Sequence, residues 1–479
     1  MKVENLEDIY GLSPMQKGML FHTLLVPNSS AYQNQSVWQL EGQLNLAAFE
    51  WAWQQVIQRH SVLRTAFFWE DLEEPLQVVL RQVTLPLQIM DWREYSAEQQ
   101  AQQLEPWLAA DLAQGFQLTA APLLRLSLIQ IGPTSYWFCW SRHHLLLDGW
   151  SQAIVLKDLF TFYEVYCYGE QASFNQQAVL GPRRPYGEYI AWLQQQDQAK
   201  AEAFWQQLLN NWAGPARLSF ARQGRSQHSY ATQLLQLASE LTSQVQMVMQ
   251  QAELTINSLI QGVWVCLLGQ YSNQHDVLFG VTVSGRPPSL PAIESMVGLF
   301  INTLPLRAQI QPEQLFLDLL KQVQSQQLAM SQYEYSSLVD IQGWAKLPRE
   351  QAMFETVVVF ENYPMDTAAF TQHSSLKLDL QRTFVQNSMP LTLRAIPGDQ
   401  LTLDVLYDTE RFTVTQIERV LHDCQLVLQA IAATPMIAVA EIMHHLQQAE
   451  DQFQQLEEQR LRDANAQKLK TIKRRSVVS

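Results

Sequence analysis

The stretch Tyr136-Trp137-Phe138-Cys139-Trp140-Ser141-Arg142-His143-His144-Leu145-Leu146-Leu147-Asp148-Gly149-Trp150-Ser151 holds three kinds of sequence in succession. Tyr136 to Ser141 is short, aromatic and apolar, the composition of a buried strand. From Ser151 to Tyr168, residues Ile154, Leu156, Leu159, Phe160 and Tyr163 fall near helical spacing. Between them lie two histidines, three apolar residues, an aspartate and a glycine. The histidines thus stand where a strand ends and a loop begins, a place from which a rigid scaffold presents chemistry. Gly149 can adopt backbone conformations closed to other residues and so admit a substrate to the main chain. A pair of satisfied histidines beside a turn aspartate is the competing account of any one of these residues, though a poorer account of the whole string.

Outward from this stretch the chain alternates strands and helices. Val37-Trp38-Gln39-Leu40 reads as a strand, and a helix over 46–59 follows with Asn45 as N-cap. Residues 124–131 form the next strand. Gly181-Pro182-Arg183-Arg184-Pro185 marks a crossing between two parts of the chain. Helices are expected over 202–212, 239–253, 256–271, 312–332 and 414–433, with strands at 277–283, 356–360 and 401–407. Antiparallel-looking strands with flanking helices give an α+β class. The expected organisation is 1–180 as an N-terminal lobe carrying the histidine string, 181–445 as a C-terminal lobe, and 446–479 as a helical linker and basic tail. That last segment is rich in Gln, Glu and Ala before Lys468-Leu469-Lys470-Thr471-Ile472-Lys473-Arg474-Arg475. It reads as an exposed helix leading to a solvated linker, with partner docking as the other reading. His444-His445 lacks the following Asp-Gly and reads as incidental.

Composition narrows the function. A hydrophobic fraction of 47% with 14 tryptophans fills a sizeable core. A net charge of −14 argues against a nucleic-acid partner. Cys139, Cys167, Cys266 and Cys424 are widely spaced, with no CxxC or Cys/His ligand pattern, so reduced thiols are expected rather than disulfides or a metal site. The N-terminus carries no apolar signal region, and no run approaches a membrane span, so a cytoplasmic protein with no membrane partner is expected. The absence of GxSxG, GxxxxGK[ST], HExxH and EF-hand patterns removes the sequence signs of an acyl-enzyme, ATP use or a metal.

The HHxxxDG string resembles the active-site motif of condensation domains from nonribosomal peptide synthetases; its shorter HxxxDG form is shared by the wider chloramphenicol acetyltransferase-like acyltransferases. Leu12 to His22, Arg59 to Phe67, Tyr186 to Trp192 and Val297 to Arg307 resemble the first, second, fourth and fifth condensation motifs, with Ser284-Gly285-Arg286-Pro287 before the fifth. Tyr335 to Leu338 and Asn387 to Leu391 match more loosely. The resemblance runs from about residue 10 to about residue 440, in family order. It implies two chloramphenicol acetyltransferase-like lobes in a V-shaped pseudo-dimer with a central tunnel. It also implies that His144 is the catalytic histidine and that Asp148 pairs with Arg286 across the two halves.

Amide formation from a thioester requires an amine to attack a carbonyl and shed a proton. An imidazole is suited to take that proton near neutral pH. The residues leave open whether His144 acts as a base or mainly positions the amine. His143 and Asp148 read as structural, and Gly149 either offers its N–H to the developing oxyanion or serves turn geometry alone. Arg64 and Asn302 match motifs but read as scaffold. The expected activity is condensation of a carrier-bound donor aminoacyl or peptidyl thioester with the α-amine of a carrier-bound acceptor, leaning to a D-residue donor. The chain itself binds no cofactor in this reading. Donor and acceptor peptidyl carrier proteins supply the phosphopantetheine arms, and an adenylation domain is the expected neighbour. The alternatives are an acyl-CoA-dependent acyltransferase and a non-catalytic docking platform for carriers.

Overall fold

The computed structural model describes residues 3–25, 32–168, 184–212, 214–222, 229–348, 351–362, 376–385 and 389–475. Gly181 to Arg183 of the expected crossing, and with them the 180/181 boundary, lie outside those residues, as do Asn387 and Ser388. Among the described residues the strands are β1 (Leu6–Gly11), β2 (Gln33–Glu41), β3 (Thr65–Phe68), β4 (Leu76–Leu80), β5 (Leu87–Asp91), β6 (Leu124–Gln130), β7 (Ser135–His143), β8 (Tyr230–Gln236), β9 (Asp276–Val283), β10 (Asn302–Gln309), β11 (Thr356–Phe360), β12 (Lys377–Val385), β13 (Leu391–Ile396) and β14 (Thr402–Asp408).

The aromatic run before the histidines becomes β7, the central strand of a sheet ordered β12-β2-β7-β6-β5. Burial on both faces explains why its apolar residues are nearly continuous. Helices Leu46–Arg59 and Gly149–Tyr168 pack on one another and on this sheet. Trp53 of the first lies edge-on to Trp140 of β7, ring centroids 5.3 Å apart, and Trp38 of β2 stacks on Phe138 at 5.4 Å. All four rings are fully buried. Truncating one such tryptophan to alanine costs about 3–5 kcal/mol. The scaffold beneath the histidines is therefore stiff.

The second half builds a larger core around a sheet ordered β10-β9-β11-β13-β14-β8. Pro305 within β10 is tolerated because β10 is the edge strand. Helix Ile256–Ser272 is buried on nearly every side, capped by Thr255 at its start and by Asn273 in the left-handed region (φ 54°) at its end. Among the described residues no single helix is long and apolar enough to cross a membrane. Ser239–Gln251 and Ile256–Ser272 qualify only as a pair bent by 103°, and the second of them lies in this core. A third sheet, β1-β4-β3, is small.

The halves are not closed units. β12 leaves the second half and pairs antiparallel with β2, with Leu380 opposite Trp38. Leu376, Leu378, Val297 and Leu299 accordingly bury in the first-half core. Other elements depart from sequence expectation for local reasons. The helix expected over 202–212 is Gln198–Leu208, because Asp197 accepts the Lys200 N–H and starts it early. The helix expected over 312–332 is Phe316–Met330, because Leu315 bridges to Ala438 and keeps the preceding chain extended. The terminal helix starts at Val439 and continues to Arg475, so the boundary at 445/446 falls inside it.

Candidate active site

β7 ends at His143, and the helix Gly149–Tyr168 begins five residues after His144. The short connection fixes both histidines through the main chain. His143 N–H donates to Leu123 O at 3.0 Å, and His144 N–H donates to Tyr32 O at 2.7 Å. Of residues 143–148 only His144 is partly accessible; the others are buried.

The two rings are held in opposite tautomers. Nδ1 of His144 lies 3.0 Å from Leu147 O. A carbonyl only accepts, so Nδ1 carries the proton and Nε2 is left with a free lone pair in the neutral ring. Burial lowers the pKa of His144, partly opposed by the Leu147 carbonyl, so the neutral ring is favoured near pH 7. His143 does the reverse: Nδ1 accepts the Leu145 N–H at 3.2 Å, which puts its proton on Nε2. That Nε2 is buried with no hydrogen-bond partner, the ring is 2% exposed, and burial pushes its pKa down to about 3. His143 is a neutral wedge behind the loop.

Asp148 is 1% exposed and is tied on both oxygens. Oδ1 accepts Ser151 N–H at 2.8 Å, capping the helix, and Nη2 of Arg286 at 3.3 Å. Oδ2 accepts Phe300 N–H at 3.1 Å, and the Asp148 N–H donates to Gly298 O at 3.2 Å. Arg286 also donates through Nη1 to Ile293 O at 2.6 Å and Met296 O at 3.1 Å, with its guanidinium 4.1 Å from the centre of the Phe300 ring. Burial pulls the pKa of Arg286 down while the Asp148 carboxylate holds it up. An aspartate so placed joins the histidine loop to the second half.

Gly149 is the first residue of a right-handed helix, so its expected conformational freedom is not what the loop uses. Its N–H has no acceptor within the helix, and the positive end of the helix dipole lies there. The left-handed glycine of this region is Gly285 (φ 60°), where a Cβ would stand 1.8 Å from Phe300 O. Arg64 is scaffold: it is 1% exposed and bonds Glu7, Ile57 O and the Leu80 carbonyl. Asn302 likewise spends both amide protons on Glu334 O and Ser336 O. Two surface hollows, of about 280 Å³ beside Tyr271 and His275 and about 260 Å³ between β5 and helix Ala97–Ala113, are lined by none of these residues. Among the described residues no group of three or more His, Cys, Asp or Glu side chains could hold a metal.

The condensation domain is the family whose model matches this chain, over residues 6–454. The chain belongs to that family. Condensation domains of nonribosomal peptide synthetases are acyltransferases, and peptide-bond formation is their general function. A linear gramicidin synthase polypeptide of Brevibacillus parabrevis is 42% identical over 437 residues, covering 90% of this chain and 6% of the synthase polypeptide. This condensation domain thus spans a small part of the curated relative it resembles. The starter condensation domain of rhizomide synthetase, in complex with C8-CoA and Leu-SNAC, superposes with a TM-score of 0.75 at 21% identity, covering 90% of this chain and 96% of that one. The X-domain from teicoplanin biosynthesis superposes at 0.74 and 19% identity, covering 90% and 96%. The mixed helix-and-sheet architecture is therefore the chloramphenicol acetyltransferase-like one.

Within the domain, the motif residues Asp148, Arg286, Gly298 and Phe300 meet at one junction, at the end of the loop that begins with His144. Sequence reasoning missed its centre. The hydroxyl of Ser151, 0% exposed, donates to Gly298 O at 2.8 Å and accepts from Gly298 N at 3.1 Å and Arg286 Nη2 at 2.9 Å. A serine three places after a capping aspartate reads as an ordinary first-turn residue, so no local signal marked it. Gly298 was legible only as a motif letter. A Cβ there would stand 2.1 Å from the Tyr186 ring, whose hydroxyl bonds Leu299 O at 2.6 Å.

Proposed function

We propose that this condensation domain joins a donor aminoacyl or peptidyl thioester to the α-amine of an acceptor aminoacyl thioester, each on the phosphopantetheine arm of a carrier protein. The observation that carries the reading is the His144–Leu147 hydrogen bond, which leaves Nε2 as a proton acceptor on a fixed ring. The acceptor nitrogen attacks the thioester carbon, the C–S bond breaks, and the thiolate leaves on the donor arm. The amine proton passes to Nε2 of His144 and onward to the thiolate. If His144 instead mainly holds the amine, the same geometry aligns it, and alignment alone is worth several kcal/mol. In this reading the Gly149 N–H, free of an intrahelical acceptor at the helix start, receives the carbonyl oxygen as it gains charge, the other reading being turn geometry alone. His143, Asp148 and Arg286 hold the loop rather than react.

The finer reading is a D-residue donor, taken from Leu12 to His22, with the two arms approaching from opposite mouths of a tunnel between lobes 1–180 and 181–445. Neighbouring carrier and adenylation domains in a cytoplasmic synthetase complete the picture. The test is to incubate the protein with a donor-loaded and an acceptor-loaded carrier, in D and L donor forms, and to weigh the carrier-bound dipeptide. Product that needs both carriers and is lost in His144→Ala supports the reading. Product from acyl-CoA without a carrier moves the assignment to the acyl-CoA branch. Carrier binding without product, across a panel of donors, moves it to a docking platform, a reading favoured by the likeness to the X-domain, whose complex with OxyB in teicoplanin biosynthesis is itself a solved structure.

A further inference from the structure

Glu334 lies outside the histidine string, yet its carboxylate reaches the turn that carries Arg286. Oε2 accepts the Gly285 N–H at 2.9 Å. That turn has little latitude, since Gly285 is left-handed and presses against Phe300 O. The next residue is Arg286, which grips Asp148 and Ser151. The main chain of Glu334 is pinned in its turn, because Asn302 Nδ2 donates to its carbonyl at 2.8 Å. Hydrogen bonds and short pieces of covalent chain therefore link Asn302 through Glu334, Gly285 and Arg286 to Asp148, four residues from His144.

What the turn takes from Glu334 is an acceptor oxygen rather than a charge. Burial pushes its pKa up to about 7, with the Gly285 N–H opposing. The buried Tyr189 phenol shares these surroundings, raised by burial and by the carboxylates of Glu334 and Asp148 and lowered by Arg286. A glutamine would accept the same N–H with no charge to bury. We infer that Glu334 is a positioning residue for condensation, holding Ser284 to Arg286 in the one shape from which Arg286 can brace the His144 loop. The inference rests on the reading of His144 as the catalytic residue.

Glu334→Gln keeps an acceptor oxygen in place and loses the charge; Glu334→Asp keeps the charge and withdraws the oxygen by one methylene. Both go into the two-carrier assay with the wild-type protein and His144→Ala, and hydrogen–deuterium exchange is followed on the segment 284–300. Glu334→Asp is expected to lose kcat by roughly tenfold to a hundredfold, the scale of an ångström-level misplacement. Its KM for loaded carriers should stay within about twofold, and exchange at 284–286 should quicken. Glu334→Gln should stay within about twofold of wild type in kcat, with exchange unchanged. Two wild-type-like variants, a glutamine variant as slow as the aspartate one, or unaltered exchange in Glu334→Asp overturns the inference. If the wild-type protein forms no dipeptide, the condensation reading fails, and exchange alone still decides whether Glu334 fixes the turn.

Discussion

The chain carries the dipeptide His-His twice, and the two copies share nothing but their letters. His143-His144 ends the central strand of a sheet, with both backbones and both rings committed to specific partners. His444-His445 sits on the exposed face of the terminal helix, where His444 Nε2 meets the Gln448 amide one turn along, at 2.9 Å. An imidazole becomes a defined acceptor when something fixes its tautomer and strips away water. In the first pair burial and main-chain partners do this; in the second an exposed glutamine amide meets one ring and both residues stay in water. Reactivity is thus a property of the strand end and its loop rather than of the residue type.

The largest effect that would break this comparison is on turnover. His144→Ala should lower dipeptide formation by about a hundredfold to ten-thousandfold, the range for a positioned acid–base group. A mutant with wild-type turnover would reduce the first pair to the status of the second. Next comes the brace. Asp148→Asn leaves the buried Arg286 without a countercharge and should destabilise the fold by about 3–5 kcal/mol, read as a lowered midpoint in urea unfolding.

Acid sharpens the contrast further. The folded pKa of His143 lies at about 3, below the 6.5 of an ordinary histidine, so the unfolded chain binds its proton first. Its contribution is present above pH 6.5 and lost as pH falls toward 3, roughly 5 kcal/mol in all. His143→Gln should flatten that part of the stability–pH curve. Glu334 has the opposite sign: its folded pKa is raised from 4.5 to about 7, so stability is lost as pH rises through that interval. Glu334→Gln should therefore match wild type near pH 4.5 and exceed it by about 2 kcal/mol at pH 8, a figure held down by the partial exposure of the group. The smallest effect belongs to the second pair, where His444→Ala should shift stability by no more than about 0.5 kcal/mol.

How much of this was legible in the sequence depends on the range of the interaction. The strand before the histidines and the helices Leu46–Arg59 and Val414–Ala433 were plain from period and caps, because both signals are local. The histidine string marked its own site for the same reason. The short strands β1, β3 and β4 were missed, being too brief and, in β1, too exposed to show alternation. Ser151 and Glu334 were missed because their partners lie far along the chain, at Gly298 and Gly285. The special backbone conformation anticipated at Gly149 is found at Gly285 instead, since which glycine bends left-handed is decided by what presses on it.

The pairing of β12 with β2 bears on how the molecule is made. Emerging from the ribosome, the first sheet can assemble β2, β7, β6 and β5 early, yet β2 keeps an open edge until residue 385 has been synthesised. β2 is also the strand entered from Tyr32, whose carbonyl holds the His144 main chain. Until then the nascent domain carries its histidine loop beside an unpaired strand edge, a hazard for misassembly that only the late-arriving β12 removes.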